Sequence, residues 1–286
     1  MSFPYWVGAS TVLMSGRPAP ARILDTAERY RPSLFFSVPT LYGGMVSLPD
    51  AAERDLGSVR MCISAAEPLA PEVLRRWQRA FGLDIVDGIG STEMLHIYCS
   101  NRPGDVHPGT SGRPVPGYEL RLLDEEDRPV ARGEVGNLVV KGDSALAFYW
   151  HQHEKTKAAI KGSWFFTGDR YRVDDHGDYV YEGRADDMIK IGGLWASPIE
   201  IENALVEHPR VLEAAAVGID ADYTTRVKAF VIPRGETDDA LVAELQEWCK
   251  SRLRRYEFPH FIDFVDELPK TPTGKIQRYK LREEEE

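Results

Sequence analysis

Asp84-Ile85-Val86-Asp87-Gly88-Ile89-Gly90-Ser91-Thr92-Glu93 decides the fold class. Its opening apolar run predicts a strand, and the glycines that follow predict a turn out of the sheet. Immediately upstream, residues 71–81 read as a helix opened by Pro71 and closed by Gly82, after a strand over 59–63. The same rhythm occurs earlier, with a strand over 34–38 and a helix over 39–48. Strands alternating with helices imply an α/β domain whose parallel sheet is covered on both faces. Open sheets of this kind bind ligands beyond the carboxyl ends of their strands, so residues 88–93 stand where a nucleotide would sit. Glycines let a backbone approach a ligand closely, Thr92 offers a hydroxyl to a phosphate oxygen, and Glu93 is a hard oxygen ligand suited to Mg2+. Taken by itself, the segment reads rather as a glycine-rich turn with solvated polar residues, and only the other segments favour the nucleotide.

Downstream the pattern changes. From about residue 109 to 183, short strands are separated by Gly, Pro and Asp, including 118–123, 137–140 and a pair flanking Asp174-Asp175-His176-Gly177-Asp178. This predicts a β-rich subdomain. After Arg184, a helix near 198–206, strands at 211–217 and 228–232 and a helix over 238–253 predict a compact α+β domain. The connection between the two parts is short, and a short boundary can act as a hinge.

Composition narrows the function classes. The chain has 286 residues, 43% of them hydrophobic, enough for a well-buried core in one large or two ordinary domains. A formal net charge of −10 argues against a broad nucleic-acid surface and leaves room for a local basic pocket. Cys62, Cys99 and Cys249 are widely separated, with no metal-ligand spacing, so a reduced, cytoplasmic setting is expected. Residues 3–14 are too short and interrupted to span a bilayer, and no membrane partner is expected.

Other segments carry candidate chemistry. Ser64-Ala65-Ala66-Glu67-Pro68 follows a strand, and its small residues could let a flat adenine lie against the backbone. Met94-Leu95-His96-Ile97-Tyr98 reads as a pocket wall or as buried core. Asp169, closing Thr167-Gly168-Asp169, could accept both hydroxyls of a ribose or merely cap a turn. Arg184 adds a planar cation suited to ribose or phosphate. In Pro269-Lys270-Thr271-Pro272-Thr273-Gly274-Lys275-Ile276, prolines and a glycine stiffen a loop around Lys275, whose compact ammonium can stabilise charge developing on a carboxylate and an α-phosphate. This is not a Walker loop, because Pro269 occupies the first glycine position and Ile276 the hydroxyl position.

The order and spacing of Gly90-Ser91-Thr92-Glu93, Thr167-Gly168-Asp169 with residues 183–190, and the lysine-bearing tail resemble the adenylate-forming acyl-CoA synthetase superfamily. The wording of the middle segment is most similar to its aryl-CoA ligases of the benzoate-CoA ligase type, and the resemblance covers essentially the whole chain. It implies ATP/AMP, Mg2+ and coenzyme A as ligands and a small-molecule carboxylate as substrate. It implies catalytic roles for Lys275, Thr92 and Glu93, with Glu93 also on the metal. It assigns nucleotide or coenzyme contacts to Ala66, Glu67, Asp87, Gly88, Asp169, Arg184, Gly192 and Gly193, the last two lining a thiol tunnel after domain rotation. Ala65, Gly90, His96 and Ile97 would border the acid pocket, and Asp186 would be the hinge. The implied domains are 1–183, the remainder of a large AMP-binding domain; 184–189, the hinge; and 190–286, a small mobile α+β domain.

One departure accompanies these matches. The family's Ser/Thr/Gly-rich loop with a lysine, which wraps the β- and γ-phosphates, has no counterpart here, and residues 2–14 resemble sequence beyond it. About half of a full ligase is therefore expected to be absent, with exposed apolar surface near residues 3–14 and 34–38 and a complementing N-terminal subunit or homo-oligomer as partner. Three readings stay open: the C-terminal portion of an aryl-CoA ligase, a non-catalytic AMP- or adenylate-binding remnant, and a related adenylating enzyme such as one that loads a carrier protein. Residues 87–90 and 94–97 favour the first.

Overall fold

The computed structural model describes residues 2–16, 18–221, 224–271 and 276–283. Lys275 with residues 272–274, and residues 284–286, lie outside the described residues.

After a short helix α1 (Ser2–Trp6) and α2 (Pro20–Tyr30), the chain forms β1 (Leu34–Ser37), α3 (Pro39–Val46), β2 (Met61–Ser64), α4 (Pro71–Phe81), β3 (Ile85–Gly90), β4 (Ile97–Ser100) and β5 (Arg113–Pro114). These strands make one sheet in the order β1-β2-β3-β4-β5. The first three are parallel, as the strand–helix alternation requires, with Ser64 opposite Asp87 at the ends of β2 and β3. The last two run antiparallel, which the alternation does not predict. A single 3-10 turn, Thr92–Met94, reverses the chain after β3, and an antiparallel neighbour needs no crossover helix.

The helices hold this sheet by one face. Proline opens α2, α3 and α4, and Gly82, at φ +66°, closes α4 in the left-handed region that favours glycine. The strongly amphipathic α4 buries Leu74 and Trp77. Trp77 stacks on Phe35 at 6.0 Å and meets the Tyr42 ring edge-on at 4.7 Å, contacts worth about 0.5–1.5 kcal/mol each beyond their buried area. The opposite side of β1 is bare: Phe36 is 63% exposed, and Trp6 and Leu13 nearby in sequence are 90% and 69% exposed. Apolar exposure is thus present at residues 5–13 and at Phe36, and the sheet is uncovered on that face at β1, whereas Val86 of β3 on the same face is buried.

β6 (Glu119–Leu123), β7 (Gly136–Lys141), β9 (Trp164–Val173) and β10 (Tyr179–Arg184) form an antiparallel sheet, with β8 (Ile160–Lys161), which follows α5 (His153–Ala159), pairing on β9. This is the β-rich subdomain. The hairpin of β9 and β10 sets Asp169 directly opposite Arg184.

A β11/β12 hairpin (Ile189–Ile191, Leu194–Ala196) leads into α6 (Pro198–Val206), β13 (Val211–Ala221), β14 (Thr224–Pro233), α7 (Asp239–Lys250), β15 (Phe261–Phe264) and α8 (Arg278–Glu283). Alternation along β13 sends Ala214 and Ala216 toward α6 and α7, and Ala215 and Val217 toward Leu281 of α8. Ser197 caps α6 by accepting from the Glu200 amide, and its hydroxyl donates to the Glu182 carbonyl at 2.5 Å, fastening this domain to β10.

Candidate functional site

A cleft of about 1390 Å3 opens where the carboxyl ends of β2 and β3, the turn of β9 and the last domain meet. Segments separated widely in sequence line it, among them 65–68, 87–93 with 95–97, 165–169 with Arg184, and Lys270 with Ile276 and Arg278.

The β2 segment leaves the sheet with Ala66 at φ +81°, a strained value for a residue with a Cβ. Glu67 turns back toward the start of α3, where its Oε2 accepts from the Thr40 amide at 3.3 Å and hydroxyl at 2.5 Å. Its buried Oε1 has no hydrogen-bond partner among the described residues, and neither does the buried Oδ1 of Asp87. Unpaired buried oxygens are costly and uncommon, so two on one cleft wall mark places where a donor is missing. Burial pushes the Asp87 carboxyl up to about 8.

β3 continues through Gly90, past the point where the glycines suggested a turn. A Cβ at Gly88 would stand 2.6 Å from the Cys99 carbonyl oxygen, and one at Gly90 would stand 2.4 Å from that of His96. The glycines therefore permit close pairing with β4 and its approach, and they bring His96 and Ile97 into the cleft wall. Within the turn, Ser91 accepts from the Met94 amide, while Thr92 and Glu93 line the cleft. The Glu93 Oε1 accepts from the Tyr149 hydroxyl at 2.9 Å, and Oε2 has no partner among the described residues. Burial first, then this carboxylate, pushes the Tyr149 hydroxyl up to about 12, so it stays a donor at neutral pH.

Across the cleft, the Arg184 guanidinium donates to Asp169 Oδ1 at 3.2 Å and to the Thr167 carbonyl at 3.0 Å. The Asp169 amide donates to the Thr167 hydroxyl at 3.0 Å, which fixes the turn. Gly168 adopts φ +75°, the left-handed region that favours glycine, and a Cβ there would stand 2.8 Å from the Arg184 guanidinium and displace it.

Most sequence-predicted site residues therefore converge: Ala65, Ala66, Glu67, Asp87, Gly88, Gly90, Thr92, Glu93, His96, Ile97, Asp169 and Arg184 all line the cleft. Gly192 and Gly193 do not. They form the β11/β12 turn at φ +55° and +86°, with open space around both. Asp186 is also off the cleft, where its exposed carboxylate lies 3.6 Å from Arg184. Lys275 is outside the described residues, but its neighbours Lys270 and Ile276 pair with each other and line the cleft. Sequence reading missed Tyr149, which sits in an aromatic run without periodicity. It also missed Arg278, buried against Glu202 at 2.7 Å and Asp187 at 3.5 Å.

Among the described residues, no group of three or more His, Cys, Asp or Glu is placed to hold a metal. A magnesium ion carried by phosphates needs only one or two carboxylates, and Glu93 Oε2 meets that requirement. No helix among the described residues is long and apolar enough to cross a membrane.

The sequence matches the family described as AMP-binding enzyme over residues 1–150, and that described as AMP-binding enzyme C-terminal domain over residues 200–275. The benzoate-CoA ligase of Thauera aromatica is 51% identical over 284 residues, which cover 98% of this chain and 54% of that protein. The 4-hydroxybenzoate-CoA/benzoate-CoA ligase of Rhodopseudomonas palustris is 45% identical over 288 residues, covering 99% and 53%. The crystal structure of the anthranilate CoA ligase AuaEII in complex with anthranoyl-AMP matches with a TM-score of 0.96 at 44% identity, over 99% of this chain and 56% of that one. A benzoate CoA ligase from Burkholderia xenovorans LB400 matches at 0.93 and 46%, over 99% and 57%. The chain spans about half the length of the curated relatives it matches.

Proposed function

The chain belongs to the AMP-binding enzyme family, and from that premise we propose that it carries the AMP side of an ATP-dependent aryl-CoA ligase acting on benzoate or a close aryl carboxylate. One observation carries the reading: nucleotide-type and acid-pocket-type residues share a single cleft of about 1390 Å3. In this reading the acid's carboxylate oxygen attacks the α-phosphorus of ATP and pyrophosphate leaves, giving an aroyl-adenylate. The thiol of coenzyme A then attacks the acyl carbon and AMP leaves.

Each residue's part follows from its placement. The adenine lies against Ala65 and Ala66, and its exocyclic amine supplies the donor that Asp87 Oδ1 or Glu67 Oε1 lacks. Asp169 takes the ribose hydroxyls, held by Arg184. Gly88 and Gly90 keep the wall thin, and Thr92 donates to the α-phosphate. Glu93, oriented by Tyr149, would hold a magnesium ion, which offsets phosphate charge when bound. The acid's ring lies against Ala65, Gly90, His96 and Ile97, and Lys275 supplies the cation for the developing charge.

Domain rotation completes the cycle. Residues 1–183 stay with the nucleotide, 184–189 including Asp186 act as hinge, and 190–286 turn to bring Gly192 and Gly193 to the cleft. The Arg75–Glu207 pair at 3.0 Å, the Arg172–Glu200 pair at 3.7 Å and the Ser197 hydrogen bond to the Glu182 carbonyl at 2.5 Å lie between the two parts and must yield or turn with the hinge. The two ion pairs are partly exposed, and such pairs hold by about 0–1 kcal/mol. A cytoplasmic setting agrees with three buried free cysteines.

The test is benzoate-dependent pyrophosphate release from ATP with magnesium and coenzyme A, with AMP binding measured calorimetrically alongside. Release supports the ligase reading. AMP binding without release favours a non-catalytic AMP-binding role, which the chain's span of about half its relatives makes the second reading. Neither binding nor release rejects both.

A further inference from the structure

Behind His96 lies a chain of hydrogen bonds that the proposed chemistry does not use. The imidazole Nδ1 is 2.6 Å from the Ile97 carbonyl oxygen, which can only accept, so Nδ1 carries a proton. Nε2 is 3.1 Å from the Tyr118 hydroxyl, which is 2.7 Å from the Ser144 hydroxyl, itself 2.7 Å from the Met94 carbonyl. The Met94 carbonyl can only accept, so Ser144 donates to it, and with a neutral ring the Tyr118 hydroxyl has one proton to share between His96 Nε2 and Ser144. A second ring proton would fill the remaining contact and leave both nitrogens equally engaged.

The parts of this chain are held firmly. The Tyr118 ring lies where a Cβ at Gly142 would meet it at 2.5 Å, and it meets the imidazole edge-on at 5.6 Å. The segment bearing Ser144 is docked on the cleft turn by the Leu146 amide, which donates to the Glu93 carbonyl at 2.7 Å. His96 itself is seated by the close backbone approach at Gly90. Neither Tyr118 nor Ser144 lines the cleft, whereas His96 does.

We propose that Tyr118 and Ser144 are positioning residues that tie back the ring nitrogens of His96, so that this wall of the acid pocket offers carbon rather than a hydrogen-bonding group and favours an unsubstituted aromatic ring. The inference rests on the aryl-CoA ligase reading for its substrate. A ring hydroxyl or amino group facing His96 would lose its water without gaining a partner from the imidazole, a penalty of roughly tenfold or more in affinity. Removing the Tyr118 hydroxyl frees Nε2 to meet such a substituent.

The test uses the full chain and non-hydrolysable aroyl-sulfamoyl adenosines: benzoyl, the three hydroxybenzoyl isomers and 2-aminobenzoyl. Wild type should bind the benzoyl compound roughly tenfold tighter than the substituted ones. Tyr118→Phe should narrow that gap for at least one isomer while leaving the benzoyl affinity largely unchanged, and Ser144→Thr should keep the wild-type ranking that Ser144→Ala loosens. A gap unchanged in Tyr118→Phe overturns the proposal. Nitrogen-15 spectra of the His96 imidazole separate this outcome from failure of the ligase reading. If wild type binds none of the compounds, the ligase reading fails, and the spectra still decide the tie-back. A fixed Nδ1 proton with an Nε2 signal that moves in Tyr118→Phe supports it, and mixed tautomers identical in both proteins overturn it.

Discussion

Asp87→Asn should make the protein more stable and a poorer nucleotide binder. The Asp87 carboxyl is 8% exposed, and burial raises it from 3.8 to about 8. A carboxyl raised in the folded state holds its proton there more tightly than in the unfolded chain. Its contribution is therefore most favourable below 3.8, falls as pH rises from 3.8 to about 8, and is level above that. The interval is about four pH units, and at about 1.36 kcal/mol per unit it amounts to on the order of 5 kcal/mol. An amide of the same shape carries no such dependence. Urea unfolding of both proteins at pH 5, 6, 7 and 8 should show the variant gaining on wild type by roughly 1 kcal/mol per pH unit, and by several kcal/mol in all at pH 8. Above pH 8 the same substitution should weaken AMP binding, because an ionised acceptor with no partner among the described residues is replaced by a group that is half donor; stability and binding would then move in opposite directions. Parallel stability profiles for the two proteins across this range would refute the argument that burial holds this carboxyl high.

Gly90→Ala should cost about 1–3 kcal/mol of stability by urea unfolding, since its Cβ would stand 2.4 Å from the His96 carbonyl oxygen and only a shift of β4 relieves it. Arg278→Ala should cost about 3–5 kcal/mol in the same assay, because Glu202 is left as a nearly buried, uncompensated charge while Asp187 keeps only Arg282. In a preparation competent for adenylation, Lys275→Ala should lower benzoate-dependent pyrophosphate release roughly 100- to 1000-fold while sparing thioester formation from preformed benzoyl-adenylate. Equal loss of both steps would remove the assigned role.

Local chemistry was written plainly in the sequence where it acts locally. Pro71 and Gly82 mark both ends of α4, and the turn at residues 174–178 folds β10 back so that Arg184 lands opposite Asp169. What sequence could not express was pairing between distant backbones. Gly88 and Gly90 read as a turn, yet they are strand residues whose missing side chains admit the backbone of β4 and its approach. The antiparallel return through Met94 and Leu95 is a tertiary choice: Met94 is buried and Leu95, at φ +74°, is 75% exposed, a split no periodicity announces. The support of Glu93 by Tyr149 crosses 56 residues, and that of His96 by Tyr118 crosses 22, so neither leaves a spacing to read. Gly192 and Gly193 show the converse, a family-implied site that the folded chain holds away from the cleft.

The most direct test of the account is calorimetric titration of the chain with a non-hydrolysable benzoyl-adenylate analogue against AMP alone. One cleft serving both the nucleotide and the acid predicts that the analogue binds one to one and more tightly than AMP, and that Asp169→Ala weakens both. Equal affinity for AMP and the analogue, or no binding of either, would contradict the shared site.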